Sequence, residues 1–169
     1  DGAILFSDIL MVPWALGQDL TFGPGEGPRL TPPLVDHALG ALERVPQRLE
    51  PVYATCERVA AALPPETTFL GFAGSPWTVA TYMVAGRGTR DQAPAKQFAA
   101  RDPVGFGSLV DRLVEASADY LVRQLEAGAT GPWQAVSARD RAASSGARVG
   151  SVRSDGGVRC MGLPLQARR

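Results

Sequence analysis

The sequence contains few of the side chains on which many kinds of site depend. Its 169 residues include one histidine and two cysteines, and no apolar run approaches the roughly 18 residues of a spanning helix. Cys56 and Cys160 lie far apart without CxxC spacing, so we predict neither a disulfide scaffold nor structural zinc. A single histidine, His37, cannot complete a His-dependent triad or a His-ligated metal site. Without a basic-then-apolar leader, the chain is expected in the reducing cytoplasm.

An excess of positive charge is also lacking. The chain has 17 Lys+Arg and 17 Asp+Glu, which argues against nucleic-acid and membrane partners. The balance is uneven, because residues 130–169 hold seven arginines and two aspartates. This Gly/Ser/Ala-rich stretch shows no apolar periodicity, so we predict a disordered or out-of-frame tail. The alternative, an arm for an anionic partner, is disfavoured because the arginines form no compact patch.

The remaining residues alternate between strand-like and helix-like segments, which predicts a parallel α/β sheet. Short apolar runs predict buried strands at 3–6 and 67–72, and residues 23–28 form a turn-rich loop. The pattern requires another strand after Gly128, but Gly131 and Pro132 break it, so we predict none there. Apolar spacing predicts helices at 9–16, 34–45, 52–63, 76–83, 93–100 and 103–127. In the last helix one apolar face is predicted, made of Phe106, Leu109, Val110, Leu113, Val114, Ser117, Leu121 and Leu125.

Two residues are candidates for a site. Asp8 directly follows the first predicted strand, at the sheet edge where parallel α/β folds bind ligands. Pattern alone favours the alternative that Asp8 caps the next helix. Tyr82 lies on an apolar helix, where a tyrosine either packs or contacts substrate. The glycines around Gly25 match neither a P-loop nor a dinucleotide fingerprint.

Several blocks of the chain closely resemble the uroporphyrinogen decarboxylase family. They read AILFSDIL (3–10), VPWALG (12–17), GEGP (25–28) and GFAGSPWTVATYMV (71–84), and the match continues from Tyr120 to Ala129. The resemblance covers about residues 1–129. The family continues with an aspartate and a strand. This chain continues with an Arg/Gly/Ser/Ala-rich sequence, of the kind that a shifted reading frame in GC-rich DNA would encode. We expect the chain to be a fragment of something longer.

The resemblance implies an incomplete (β/α)8 TIM-barrel enzyme, homodimeric when intact and free of cofactors. Such enzymes convert the four acetate side chains of uroporphyrinogen III to methyl groups. The product is coproporphyrinogen III, in haem and chlorophyll biosynthesis. Carried over by motif, Asp8 is the catalytic residue and also binds substrate, and Tyr82 binds substrate. No metal is implied, and the porphyrinogen is the expected partner.

The chain also departs from the family pattern. The family's arginine motif would precede Asp1, and its substrate-binding serine and histidine would follow residue 129, so we expect this fragment to be inactive. No motif match assigns Arg29, Arg87 or Arg90 to substrate. Two alternatives stay open. One is a corrinoid-dependent methyltransferase of the same barrel family. Such enzymes bind zinc through His and Cys, and His37 and Cys56 alone provide too few ligands for that site. The other is a non-catalytic remnant.

Overall fold

The structure is a computed structural model, which describes residues 1–23, 27–34, 40, 42, 44–135, 151–153 and 159–161. Side chains are described only as far as residue 132. In chain order the elements are β1 (Gly2–Ile4), α1 (Met11–Ala15), β2 (Asp19–Phe22), β3 (Pro28–Thr31), a 3-10 helix (Pro46–Leu49), α2 (Glu50–Ala62), β4 (Thr68–Gly74), α3 (Pro76–Ala85), α4 (Ala93–Arg101), α5 (Pro103–Glu126), β5 (Gly131–Ala135), β6 (Ser151–Arg153) and β7 (Arg159–Met161).

A three-stranded parallel sheet, in the order β1-β4-β5, forms the centre of this mixed α/β fold. Ile4 pairs with Leu70, and Leu70 also pairs with Gly131. The predicted parallel arrangement is confirmed, as are the helices predicted near 52–63, 76–83, 93–100 and 103–127. The helix predicted at 34–45 lies largely outside the described residues.

The prediction that no strand follows Gly128 is wrong. β5 lies there and pairs with β4 from Gly131 to Ala135. It is an edge strand of the described sheet, and an edge tolerates Pro132, whose missing N–H would interrupt a central ladder. Beyond it, β6 and β7 pair antiparallel with each other. The other residues of 136–169 lie outside the described residues, and their disorder stays a prediction.

The first strand is shorter and less buried than predicted. β1 ends at Ile4, which is 44% exposed, and Phe6 is 72% exposed although it belongs to the same apolar run. The reason is that β1 occupies the outer position of the described sheet and the chain then leaves β4. The next helix, α1, covers only part of the predicted 9–16 segment.

A hairpin that the sequence pattern missed follows α1. β2 and β3 pair antiparallel, with Leu20 opposite Leu30, and flank the predicted loop. The Gln18 side chain, 2% exposed, donates to the carbonyl oxygens of Pro32 at 2.7 Å and Met83 at 3.4 Å. Leu34 N–H donates to the same Met83 carbonyl at 3.0 Å. The hairpin is therefore attached to the C-terminal end of α3.

The long helix α5 packs against β4 and supplies much of the core. Its predicted apolar face is largely confirmed, because Leu109, Leu113 and Ser117 are buried. Val114 is an exception at 51% exposed. Besides Ser117, the helix buries the polar groups of Tyr120 and Gln124, which are 1% and 0% exposed. Among the described residues, no helix is long and apolar enough to cross a membrane.

Candidate active site

The segment that carries Asp8 begins where β1 separates from β4. Leu5 N–H still donates to the Leu70 carbonyl at 3.2 Å, and the chain then turns away from the sheet. We call residues 5–10 the Asp8 loop. Within it, Leu10 N–H donates to Asp8 Oδ1 at 2.8 Å, and Met11 N–H donates to the Asp8 carbonyl at 3.2 Å. Asp8 therefore forms a turn ahead of α1, and the capping alternative is wrong, because the N-cap of α1 is Leu10 and no side chain caps it.

This turn does not exclude a chemical role for Asp8. The hydrogen bond from Leu10 engages one of the two carboxylate oxygens, and the side chain is half-buried. A backbone donor fixes the orientation of the carboxylate. A carboxylate held at the carboxyl end of a parallel strand is suited to accept hydrogen bonds from a ligand and to stabilise positive charge on it.

A second hydrogen bond fixes the loop from the helical side. The hydroxyls of Ser7 and Tyr120 lie 2.9 Å apart and share a hydrogen bond. Burial raises the pKa of Tyr120 above its usual value, and the Ser7 hydrogen bond only partly offsets this. Tyr120 is thus a neutral phenol at physiological pH. Tyr120 therefore connects α5 to Ser7, the residue next to Asp8. Tyr120 was not among the predicted site residues.

Gln124, one helical turn after Tyr120, contacts β4 where β1 has left it. Its Oε1 accepts from Phe72 N–H at 2.8 Å, and its Nε2 donates to the Phe72 carbonyl at 3.0 Å. Phe72 lies two residues after Leu70, so its backbone groups point to the edge that β1 occupied. The amide therefore replaces a strand partner beside the Asp8 loop, and the Phe6 ring lies 4.6 Å from that of Phe72.

Replacing Gln124 with Leu should lower the free energy of unfolding by about 2–4 kcal/mol, because two buried backbone groups of Phe72 lose their partner. Denaturant unfolding monitored by circular dichroism would measure the loss. Gln97→Leu is the matched control, since Gln97 is exposed on α4 and should change stability by less than about 0.5 kcal/mol. Equal effects at both positions would contradict this role for Gln124.

Tyr82 lies on α3, whose ends are well defined. Ser75 caps its start, where the Ser75 Oγ accepts from Thr78 N–H at 3.4 Å. Gly86 ends it in the left-handed region, with φ of 71°. The ring of Tyr82 is half-buried, and its hydroxyl packs against Gly88, where an added Cβ would lie 2.9 Å from the Tyr82 oxygen.

The Tyr82 side chain borders an open cleft of about 310 Å³. We call this the Tyr82 cleft; its described lining residues are Gly27, Pro28, Arg29, Tyr82, Arg87 and Gly88. Asp8 is not among them. The two segments do approach each other, because a Cβ added at Gly74 would lie 2.9 Å from the Ile9 Cβ and 2.7 Å from Val79 Cγ2. The residue after Asp8 therefore packs against the start of the helix that carries Tyr82.

Of the cysteine and histidine side chains, that of Cys56 lies within the described part of the chain. Cys56 is a fully buried free thiol on α2, and burial raises its pKa. His37 and the side chain of Cys160 lie outside the described part of the chain. Among the residues that the structure describes, no three His, Cys, Asp or Glu side chains are grouped so that they could hold a metal ion.

Parallel strands separated by helices define a domain of the α/β class, and Asp8 lies at the carboxyl end of one of these strands. The family model described as "Uroporphyrinogen decarboxylase (URO-D)" matches residues 1–145. The chain therefore belongs to the uroporphyrinogen decarboxylase family. The match runs past residue 129, where we expected the resemblance to end, and includes β5.

Individual relatives agree with the family match. The uroporphyrinogen decarboxylase of Rhizorhabdus wittichii is 68% identical over 128 residues, which cover 76% of this chain and 37% of the relative. That of Novosphingobium aromaticivorans is 60% identical over 131 residues, which cover 78% of this chain and 38% of the relative. The chain thus spans less than two fifths of the length of these relatives.

A solved structure shows the same fold at low sequence similarity. It is described as a methyltransferase from Methanosarcina mazei and superposes with a TM-score of 0.63 at 19% identity. The aligned region covers 79% of this chain and 40% of that chain. At this identity the likeness concerns the fold alone.

Proposed function

We propose that this chain is part of a uroporphyrinogen decarboxylase. The intact enzyme would convert the four acetate side chains of uroporphyrinogen III to methyl groups and release coproporphyrinogen III, in haem and chlorophyll biosynthesis. The observation that carries the proposal is the Asp8 loop. It lies at the carboxyl end of a parallel strand, inside the region that matches the decarboxylase family.

The architecture supports a (β/α)8 barrel as the setting. The three parallel strands follow one another across the sheet in the same order as along the chain, without the reversal of a doubly wound sheet. We propose that β1, β4 and β5 are consecutive barrel strands, and that the intact enzyme is a cytoplasmic homodimer. In that barrel, the edges of β1 and β5 would be paired by further strands.

In the proposed reaction, Asp8 binds the substrate through its pyrrole N–H groups. A carboxylate accepts several such bonds, each contributing roughly 1.5–3 kcal/mol. Protonation of a pyrrole carbon makes the ring cationic, and the C–C bond to the acetate carboxylate then breaks. Its electron pair enters the ring, CO2 leaves, and the methylene carbon takes up a proton as the ring loses one. The negative charge of Asp8 stabilises the cationic ring, so the pyrrole itself serves as the electron sink.

One further candidate is a corrinoid-dependent methyltransferase. The solved methyltransferase shares the fold at 19% identity, which is compatible with this candidate but does not distinguish it. The 68% identity to a uroporphyrinogen decarboxylase supports decarboxylation instead. The remaining alternative, a non-catalytic remnant, predicts that these residues cannot support activity in any context.

A chimera tests the proposal. In it, residues 1–129 of this chain replace the aligned segment of the Rhizorhabdus wittichii relative, which supplies the rest of the enzyme. We expect the chimera to form coproporphyrinogen from uroporphyrinogen at a rate within about tenfold of that relative, as detected by chromatography of the oxidised products. A folded chimera without turnover would contradict the proposal and favour the non-catalytic remnant.

Tyr82→Phe in the chimera should lower kcat/KM by only about two- to tenfold. The substitution removes one hydroxyl hydrogen bond, worth roughly 0.5–1.5 kcal/mol, and keeps the packing of the ring. Steady-state kinetics would measure it, with Tyr53→Phe on α2 as the matched control. Complete loss of activity without unfolding would require Tyr82 to transfer a proton, a role that we do not assign.

A further inference from the structure

Two arginines that no family motif assigned lie together in the Tyr82 cleft. Arg29 is on β3, and Arg87 follows the end of α3. Of the described residues that line the cleft, these two are cationic and none is acidic. The cleft differs in this from residues 1–129 as a whole, which contain ten basic and fifteen acidic side chains. Such a cleft attracts anions.

The backbone holds the two arginines opposite each other. Arg29 and Arg87 form an antiparallel β-bridge, and Leu30 N–H donates to the Gly86 carbonyl at 2.8 Å. Directly opposed residues of such a pair have Cβ atoms about 5 Å apart on one face. The two arginine side chains therefore extend from neighbouring backbone positions. Both line the same cleft as Tyr82.

The bridge is built on a position that requires glycine. Gly86 has φ of 71°, and an added Cβ there would lie 2.8 Å from Pro33 Cγ and 2.9 Å from the Leu30 carbonyl oxygen. The buried Gln18 and the Leu34 amide fix the hairpin to the same helix end. The arginines are thus carried on a preorganised support, which reduces the cost of ordering them on a ligand.

We propose that Arg29 and Arg87, beside Tyr82, bind one carboxylate-bearing side chain of the substrate. Guanidinium groups match carboxylates through paired N–H donors, and the phenol adds a further donor. A volume of about 310 Å³ lies at the lower end of ligand pockets, so the cleft accommodates one arm of a ligand and not a whole tetrapyrrole. The identity of that ligand rests on the proposed function, whereas the carboxylate specificity rests on the cleft.

Calorimetric titration of the 169-residue chain with 1,2,3,4-butanetetracarboxylate tests the specificity. Arg29→Gln and Arg87→Gln should each weaken binding about tenfold, and the double substitution should abolish it. Arg58→Gln, an exposed arginine on α2, should leave binding within twofold. The tetramethyl ester should not bind, and inorganic phosphate should bind more weakly than the tetracarboxylate. Unchanged binding in both arginine variants, or tighter binding of phosphate, would overturn the proposal.

The chimera provides the second measurement and decides the question if circular dichroism shows a variant of the chain to be unfolded. There, Arg29→Gln and Arg87→Gln should each raise KM for uroporphyrinogen about tenfold and leave kcat within twofold. Unchanged KM in an active chimera would overturn the inference and leave the proposed function standing. Arginine-dependent binding of the tetracarboxylate with a folded but inactive chimera would support the carboxylate site and contradict the proposed function.

Discussion

Asp8→Asn should lower kcat of the chimera about 10²–10³-fold while the fold remains unchanged. Asn keeps the size of the side chain, and its oxygen can still accept the hydrogen bond from Leu10 N–H, which lies 2.8 Å from Asp8 Oδ1. What is lost is the fixed negative charge that stabilises the cationic ring, and losing one preorganised electrostatic contact costs about this much. Steady-state decarboxylation with circular dichroism spectra of both proteins would measure the effect.

Asp91→Asn is a matched control for this experiment. Asp91 Oδ1 accepts from Ala93 N–H at 3.1 Å, two residues ahead, as Asp8 does from Leu10. The substitution therefore removes one carboxylate charge from the same kind of turn, on an exposed segment outside the proposed machinery. We expect its activity to stay within a few-fold of the parent. Activity of Asp8→Asn in that same range, with an unchanged spectrum, would contradict the catalytic assignment.

A polypeptide of residues 1–169 should show no decarboxylation of uroporphyrinogen. A closed barrel of this type takes about 250 residues, whereas this chain spans 37% of its relative and its described central sheet has three strands. Phe6, 72% exposed within the Asp8 loop, shows that apolar surface there remains uncovered. A cationic intermediate would then be exposed to water, which weakens the stabilisation that Asp8 provides.

The assay should compare equal concentrations of the 169-residue chain and the chimera, after mass spectrometry confirms both. Product above the background of a no-protein sample, at a rate proportional to the concentration of the chain, would refute this prediction. It would also show that the cleft and the Asp8 loop suffice for turnover. Product only from the chimera would locate the missing requirement outside residues 1–129.

Hydrophobic periodicity predicted the buried face of an element where that face follows from the element's own sequence. The stripe through Leu109, Leu113 and Ser117 predicted the buried face of α5 correctly. β5 was missed because the edge of the described sheet, where β5 lies, tolerates Pro132, and a local sequence does not show which strand lies at an edge. Phe6 was predicted buried for a similar reason, since a local run does not show where the chain leaves its neighbour.

In the candidate site, too, local sequence indicated single residues but not the contacts between distant ones. Asp8 and Tyr82 came from motif resemblance, and their roles stay predictions. The Ser7–Tyr120 hydrogen bond joins residues 113 positions apart, so no local pattern contains it. A signal did exist: Tyr120 and Gln124 are polar residues four apart beside an apolar stripe, where buried polar groups require partners. Arg29 and Arg87 become neighbours only through the hairpin.

The contact between α5 and β4 has a consequence for how this family can vary over time. A Cβ added at Gly71 would lie 3.0 Å from Gln124 Oε1 and 3.2 Å from Gln124 Cβ, so alanine would force the amide that contacts Phe72 to shift by a few tenths of an ångström. A shorter residue 124 relieves this contact in a lineage that loses the glycine, and a lineage that shortens residue 124 no longer needs the glycine. The two positions should covary across homologues, with Gly71 and Gln124 kept or replaced together.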